Sequence, residues 1–213
     1  MTAFEVADWR RNVFALYASV RAAGDPAIGH ELWRTGRDRL FSAHSATPLL
    51  PDERGTFIGL PIAPYDPAWR FELELLETEP ERLEVETGTD GVVPFERLGR
   101  VDVPDVGSLD VWRLTSYGGG IFVPVKDALA GRRPAADEPQ VASGTYGGGR
   151  YLLDTIKGAD LGLGAHPNSL VIDFNFAYNP SCAYDPGWAC PLTPPSNRLA
   201  IEIRAGERTA LEE

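Results

Sequence analysis

The sequence predicts a mainly β fold, an antiparallel barrel-like or sandwich domain preceded by two N-terminal α-helices. Helical periodicity is confined to residues 1–42, and strand-like alternation recurs between residues 55 and 206. The 22 glycines and 18 prolines of the 213-residue chain are typical of many tight turns between strands. Few helices separate the strands, so a parallel sheet is not expected. We therefore expect a single domain over residues 1–213, with residues 1–42 as a helical appendage and residues 55–206 as the β domain.

The first helix is predicted over residues 3–23. Thr2 and Glu5 match a capping box at its start, and Gly24 followed by Pro26 is a stop signal. Its apolar residues recur at helical spacing and define one buried face: Trp9, Val13, Leu16, Tyr17 and Val20.

The second helix is predicted over residues 29–42, although Gly36 in its middle costs about 1 kcal/mol relative to alanine. Residues 43–67 contain five prolines and are expected to form an ordered loop with one short strand at residues 57–60. The residues of the second helix that we expect to face the core are Trp33, Leu40 and Phe41.

Strand-like alternation begins at residues 70–75, where Glu72 and Glu74 share one face and apolar residues form the other. A second strand over residues 83–87 precedes a turn at residues 89–91. Residues 131–139 are expected to form an internal loop. The remaining predicted strands are residues 97–103, 109–116, 120–125, 150–155, 169–176 and 199–204.

The formal net charge of −11 disfavours two classes of partner. Nucleic acid and anionic membrane surfaces both attract basic proteins, so neither is expected here. No apolar run approaches 18 residues, so a membrane span is not expected. The N-terminus lacks the basic and apolar regions of a secretory signal, which makes the cytoplasm the expected location.

Three consecutive glycines precede Arg150 in the segment TYGGGRYLLD. Glycines let the backbone approach a ligand closely, and an arginine can hold a small anionic molecule through a carboxylate or phosphate. No helix or Gly-Lys-Ser/Thr follows, so nucleotide-binding loops do not match. The alternative is a hairpin turn in which Arg150 pairs with a carboxylate of the protein.

Asp173 and Asn175 lie two residues apart in a predicted strand, so they share a face with Cα atoms about 7 Å apart. They either face solvent or line the interior and orient a ligand. Arg150 and Asp154 share a face in the same way. If the two strands are neighbours, these four side chains meet.

The segment YNPSCAYDPGWACP is dense in turn formers and aromatics and contains both cysteines, Cys182 and Cys190. Four interpretations stay open: buried thiols, a redox-active or structural bridge, a metal site, and a nucleophilic thiolate. A metal would need ligands from His30, His44 or His166. A nucleophile would need a base such as His44 or His166, oriented by a carboxylate such as Asp173.

The three histidines also have simple structural explanations. His30 is an exposed polar residue at a helix start, His166 precedes Pro167 in a turn, and His44 meets the carbonyls that end the second helix. Of the three, His44 is the one we favour as functional. The chain lacks a G-x-S-x-G elbow and a His-Glu-x-x-His helix, which disfavours ordinary serine hydrolases and zinc proteases.

Several segments resemble the bacterial and archaeal family known as domain of unknown function 1684. They are TYGGGRYLLDT, LVIDFNFAYNPSCAYDPGWACP, and Asn197-Arg198-Leu199 with Ala205-Gly206-Glu207, together with upstream RDRLF, Pro48-Leu49 and FIGL. The family form has a His-Pro after the helix, whereas Ser45 follows His44 here, which weakens a role based on a rigid turn. The resemblance implies no activity. It does imply one candidate site, formed by Arg150, Asp173, Asn175, Tyr178, Cys182, Tyr184 and Cys190.

Three functional hypotheses follow. The first is a small-molecule enzyme or binder, with Cys182, His44 and Asp173 as catalytic residues and Arg150, Asn175, Tyr178 and Tyr184 as ligand-binding residues. The second is a structural or interaction domain in which the same residues form a buried polar network. The third is a metal protein that uses Cys182, Cys190 and His44. No motif identifies a cofactor, and the sequence predicts no oligomeric state.

Overall fold

The computed structural model describes residues 1–87, 91–132 and 144–209. Two helices are followed by strands that pair antiparallel in two sheets, as predicted. The elements are α1 (Ala3–Ala22), α2 (Pro26–Ala43), β1 (Arg70–Glu74), β2 (Arg82–Thr87), β3 (Gly91–Val103), β4 (Gly107–Leu114), β5 (Ile121–Val125), β6 (Arg150–Asp154) and β7 (Ser169–Asp173).

The start of α1 confirms the predicted capping box. The Glu5 amide donates to Thr2 Oγ1 at 3.3 Å, and the Thr2 amide donates to Glu5 Oε2 at 2.6 Å. The start of α2 was predicted three residues too late. Pro26 occupies the first helical position, where its missing N–H costs nothing, and Asp25 Oδ1 accepts a hydrogen bond from the Ala27 amide at 2.8 Å.

The two helices pack closely because Gly36 has no side chain. A Cβ atom at this position would lie 2.5 Å from Leu16 Cδ1. Trp33 and Phe41 are buried, as predicted. The Trp33 indole donates to the Tyr17 hydroxyl at 3.0 Å, and its ring lies 5.2 Å from that of Phe176, so the helix pair shares a core with the β region.

The larger sheet has the order β2-β3-β4-β5-β6, and β1 pairs with β7 in a separate two-stranded sheet. Within the described residues β2 and β6 are its edges, so the sheet is open. The barrel alternative is therefore wrong and the sandwich-like one is confirmed. The main core contains residues from both sheets, including Val111, Leu152, Ile172 and Phe174. In β1 the two glutamates are exposed and the apolar side chains point inward, as predicted.

Other predicted strands differ from the structure. Residues 57–60 form no strand, and β3 begins at residue 91 rather than 97. Residues 199–204 are irregular, because the Ile203 amide donates to the Asp127 carboxylate at 2.9 Å instead of to a strand. Most of the loop predicted at residues 131–139 and of the turn at 89–91 lies outside the described residues.

In the parts of the chain that the structure describes, neither helix has the length and apolar character needed to cross a bilayer.

Candidate thiol site

Cys182 and Cys190 lie side by side at the surface of the β region, both as free thiols. Cys182 lies in a short 3₁₀ helix (Ser181–Ala183) and is half-buried, whereas Cys190 is buried. The backbone amide of Cys182 donates to Cys190 Sγ at 3.4 Å. Because N and Cα of one residue are about 1.5 Å apart, Cys190 Sγ lies within about 5 Å of Cys182 Cα. This separation suits a disulfide without a large backbone movement.

The loop between the cysteines is closed by its own hydrogen bonds. The Tyr184 and Asp185 amides donate to the Ser181 carbonyl at 3.1 Å, which continues the 3₁₀ turn that contains Cys182. Asp185 Oδ1 then accepts from the Gly187 amide at 2.8 Å, and the Trp188 amide donates to the Asp185 carbonyl. These two turns bring the chain back to Cys190.

The two thiols have opposite acidities. The pKa of Cys190 is lowered to about 6, chiefly by the hydrogen bond from the Cys182 thiol; the Cys182 amide and the charge of Lys157 act in the same direction, and burial acts against them. The same hydrogen bond, together with burial, raises the pKa of Cys182. The pair therefore shares one proton near neutral pH, with the negative charge on Cys190.

The glycine-rich segment forms one wall of this site. The Tyr146 hydroxyl lies 3.7 Å from Cys182 Sγ and 3.5 Å from the Cys182 carbonyl oxygen. The Thr193 amide donates to the Gly148 carbonyl at 3.2 Å. Gly149 has a φ of +95°, and a Cβ there would lie 2.0 Å from Thr193 Oγ1. The glycines therefore allow close approach to the segment that follows Cys190.

Arg150 does not face this site. Its side chain is 1% exposed, and its guanidinium donates to the carbonyls of Ile203, Ala205 and Glu207 at 2.6–3.1 Å. Asp127 Oδ1 lies 3.6 Å away. The guanidinium thus holds the C-terminal segment in place from inside the protein.

Asp173 and Asn175 belong to a different cluster. The expectation that the strands of Arg150 and Asp173 are neighbours is wrong, because β7 pairs with β1 and β6 pairs with β5. The predicted strand at residues 169–176 ends at Asp173, whose Oδ1 accepts from the backbone amide and the side chain of Asn175 at 3.0 and 2.8 Å. This cap starts a 3₁₀ helix (Phe174–Phe176). The two side chains meet, but through a turn rather than along a strand.

Comparisons with known proteins agree with the motifs. A family profile described as "Protein of unknown function (DUF1684)" matches residues 55–208. The chain belongs to the DUF1684 family. The solution NMR structure of an uncharacterised protein from Haloarcula marismortui is 35% identical, with a TM-score of 0.56, and the match covers 84% of this chain and 92% of that one. No curated protein matches the chain.

The two tyrosines predicted to bind a ligand lie within the cysteine segment of this DUF1684 protein, at residues 178–191. The Tyr178 ring lies 5.1 Å from the Arg37 guanidinium, and its hydroxyl lies 3.5 Å from Asp154 Oδ2. The Tyr184 ring contacts that of Phe41 at 4.9 Å. Tyr178 and Tyr184 thus connect the cysteine segment to α2.

The histidines have partners away from the thiols. His30 is buried, so its predicted exposure is wrong, and its Nε2 lies 3.1 Å from the Asn175 carbonyl. His44 Nδ1 accepts from the Ala46 amide at 3.0 Å, and its Nε2 lies 3.2 Å from Asp8 Oδ2. His166 is exposed beside β7.

Among the described residues, no group of three or more His, Cys, Asp or Glu side chains is arranged to hold a metal ion. The histidines that a Cys182–Cys190 zinc site requires are therefore not brought to it.

Two features of the DUF1684 chain were missed at the sequence level. Tyr146, adjacent to the glycines, was not singled out as a contact of Cys182. The second is a buried ion pair, in which Arg37 Nη2 lies 2.6 Å from Glu207 Oε2. Arg37 and Glu207 both lie in segments that resemble the family, but a pair separated by 170 positions leaves no local signal in the sequence.

Proposed function

We propose that this protein is a thiol–disulfide exchange domain in which Cys182 and Cys190 alternate between two thiols and one disulfide. The observation that carries the proposal is the 3.4 Å contact from the Cys182 amide to Cys190 Sγ. This contact brings Cys190 Sγ within about 5 Å of Cys182 Cα, and Cys182 is partly exposed.

In the proposed exchange reaction, Cys182 attacks the external disulfide and Cys190 resolves the mixed disulfide. Cys182 is the more exposed cysteine, and its sulfur attacks a small external disulfide as its proton passes to the Cys190 thiolate. A mixed disulfide forms at Cys182 and one thiolate leaves. Cys190 gives that proton to the departing thiolate, and its sulfur then attacks the Cys182 sulfur and displaces the second thiolate, which takes a proton from water. The two protein sulfurs lose two electrons, and the external disulfide gains them and leaves as two thiols.

The glycine loop supports this chemistry from one side. The Tyr146 hydroxyl lies near both the sulfur and the carbonyl oxygen of Cys182. Burial and the thiol raise the pKa of Tyr146 to about 12, so the phenol stays protonated and is able to donate to a Cys182 thiolate. Tyr146 is a positioning residue in this proposal.

The proposal does not use Arg150 as an anchor for a small anionic molecule, because carbonyl groups enclose its guanidinium. It retains a small-molecule partner and assigns it to the thiols. The expected cytoplasmic location suits a reversible bridge, because a reducing compartment keeps both thiols reduced at rest.

The test is a redox titration of the purified protein. The protein is equilibrated with mixtures of reduced and oxidised glutathione or dithiothreitol, trapped by alkylation and examined by intact mass. We expect a two-electron transition that removes two hydrogens, with a reduction potential between about −180 and −270 mV, the range of exchange proteins.

Cys182→Ser and Cys190→Ser are the matched controls, and each should abolish the transition. A reduction potential below about −300 mV would indicate a structural disulfide instead of an exchange site. Failure to form a bridge in every buffer would end the proposal.

A further inference from the structure

The two cysteines differ in exposure and in the hydrogen bonds that reach their sulfurs. Cys182 is half-buried, whereas Cys190 is only 8% exposed. The Cys182 amide nonetheless donates to Cys190 Sγ at 3.4 Å, and the Cys182 thiol donates to the same sulfur. Such donors stabilise negative charge, so the better nucleophile of the pair is the sulfur that solvent reaches less.

The chain on either side of Cys190 is tied down, which keeps its sulfur against the Cys182 amide. After Cys190, the Tyr151 hydroxyl donates to the Pro191 carbonyl at 2.6 Å. Before it, the Trp188 amide donates to the Asp185 carbonyl at 3.1 Å. A reagent must therefore reach the Cys190 sulfur where it lies, and this requirement favours a very small molecule over a bulky disulfide.

Two charged side chains act on Cys190, and their effects oppose each other. Lys157 favours the thiolate, and the buried Asp154 disfavours it. Because the thiolate itself is negative, an uncharged oxidant approaches it at a lower electrostatic cost than an anion does. A hydroperoxide is uncharged, is small, and reacts with thiolates rather than with thiols.

We propose that Cys190 reduces small hydroperoxides and that Cys182 then closes the disulfide. This activity goes beyond the proposed exchange reaction, because it begins at the other sulfur and needs no external disulfide. The two proposals share the bridge between Cys182 and Cys190, and an external thiol returns that bridge to two thiols by exchange.

The reaction with hydrogen peroxide has two steps. The Cys190 thiolate attacks one peroxide oxygen, the O–O bond breaks, and Cys190 becomes a sulfenic acid. The departing hydroxide takes the proton of the Cys182 thiol and leaves as water. The Cys182 thiolate then attacks the Cys190 sulfur, and the S–O bond breaks as the S–S bond forms. The second hydroxide is protonated by solvent; the two sulfurs lose two electrons, and the peroxide oxygens gain them.

The first test traps the sulfenic acid with dimedone at pH 7 and locates the adduct by peptide mapping. Cys182→Ser removes the thiol that closes the bridge but keeps the backbone amide and a hydroxyl donor, so we expect its adduct on Cys190. This adduct should form at least about tenfold faster than the adduct on Cys182 in Cys190→Ser. The reason is that a thiol with a pKa of about 6 is mostly thiolate at pH 7, whereas an ordinary thiol is not.

The second test uses the unaltered protein and compares hydrogen peroxide with the bulkier cumene hydroperoxide. Intact mass measures the loss of two hydrogens as the bridge forms. We expect the ratio of the two rates, hydrogen peroxide over cumene hydroperoxide, to be at least about tenfold higher in the folded protein than in urea, because only the folded chain restricts access to Cys190. This comparison needs no variant to fold.

Equal rate ratios in the folded and urea-unfolded protein, or a dimedone adduct that forms on Cys182 and not on Cys190, would each overturn the proposal. The two proposals fail separately. A bridge that forms in glutathione mixtures but not with hydrogen peroxide would remove the peroxide reaction and leave the exchange reaction. A bridge that forms with hydrogen peroxide but in no glutathione or dithiothreitol mixture would do the opposite.

Discussion

At the scale of single residues, Cys190 is a buried thiol whose pKa is lowered. Its sulfur accepts from both the amide and the thiol of Cys182, so its negative charge is stabilised although it is buried. A buried thiol without such donors is a weaker acid than a free one. Two neighbouring donors therefore reverse the effect of burial at this position.

We expect the thiolate absorbance of the reduced protein to rise with a midpoint near pH 6, because the pKa of Cys190 is about 6. Cys182→Ala removes the thiol donor and should move the midpoint upward, toward the ordinary thiol value near 8.5. Ultraviolet difference spectra across pH 4–10 measure both midpoints. A single transition near pH 8.5 in the unaltered protein would contradict the proposed sharing of the proton.

Asp173 is the second residue whose acidity is set by its surroundings. Burial raises the pKa of Asp173 to about 6, even though Asn175 and Arg70 act in the opposite direction. The folded state therefore binds this proton more tightly than the unfolded state, whose value is near 3.8. The resulting stability is fully present below pH 3.8 and is lost as the pH rises through 6.

Relative to Asp173→Asn, the unaltered protein should gain at most about 3 kcal/mol in free energy of unfolding between pH 7 and pH 4. The variant is the reference because Asp154 and Glu207 also have raised pKa values. Urea unfolding of both proteins at each pH measures the difference. A difference that is constant with pH, or one that shrinks on acidification, would show that burial does not control the Asp173 pKa.

At the scale of elements, Arg150 connects β6 to the C-terminal segment. The segment forms only an isolated bridge between Glu207 and Ile62 in the described part of the chain, and the Arg150 guanidinium donates to three of its carbonyls. Asp127 supports the same arrangement by accepting from the Ile203 amide. One side chain thus organises a segment that has no regular structure of its own.

Arg150→Met should lower the free energy of unfolding by about 3–5 kcal/mol, since it leaves the buried Asp127 and three carbonyls without their cation. Arg204→Met is the matched control, because the Arg204 side chain is exposed and pairs with the exposed Glu202. Its effect should stay within about 0.5 kcal/mol. Chemical denaturation measures both, and comparable effects of the two substitutions would contradict the role assigned to Arg150.

The sequence was most informative about elements with local signals. The capping box of Thr2 and Glu5 and the apolar stripe of α1 depend on residues within one or two turns, so both were predicted. The end of β7 at Asp173 was not predicted, because it depends on the Asp173 side chain, which caps the turn that follows. Residues 199–204 have strand-like composition, but a distant arginine and aspartate occupy their backbone groups.

The candidate site shows the same division. The density of turn formers and cysteines identified the segment at residues 178–191. The three consecutive glycines identified the segment before Arg150, which contacts Cys182 through Tyr146. The hypothesis that Arg150, Asp154, Asp173 and Asn175 meet was wrong because it required β6 and β7 to be neighbouring strands. Strand order is fixed by long-range packing, which alternation of polar and apolar residues does not encode.

At the scale of the whole molecule, the helix pair is joined to the β region by buried polar contacts as well as apolar ones. Arg37 pairs with Glu207, whose side chain is 0% exposed, and the His30 ring contacts the Asn175 carbonyl. The Glu207 carboxylate also accepts from the Asn179 amide at 3.1 Å, close to the cysteine segment. The family match begins at residue 55, yet these contacts make α2 part of the same core.

We therefore expect the helices and the β region to unfold together. In native-state hydrogen exchange, the slowest amides of α2, such as Trp33 and Arg37, should open with the same free energy as the Tyr151 amide in β6. Arg37→Leu leaves the Glu207 carboxylate buried without its cation and should lower the opening free energy of both groups together, by about 3 kcal/mol or more. Arg34→Leu disrupts an exposed pair with Glu31 and should change neither group appreciably. If Arg37→Leu accelerates exchange in α2 while the Tyr151 amide keeps its protection, the helix pair is a separate unit and the ion pair does not connect it to the β region.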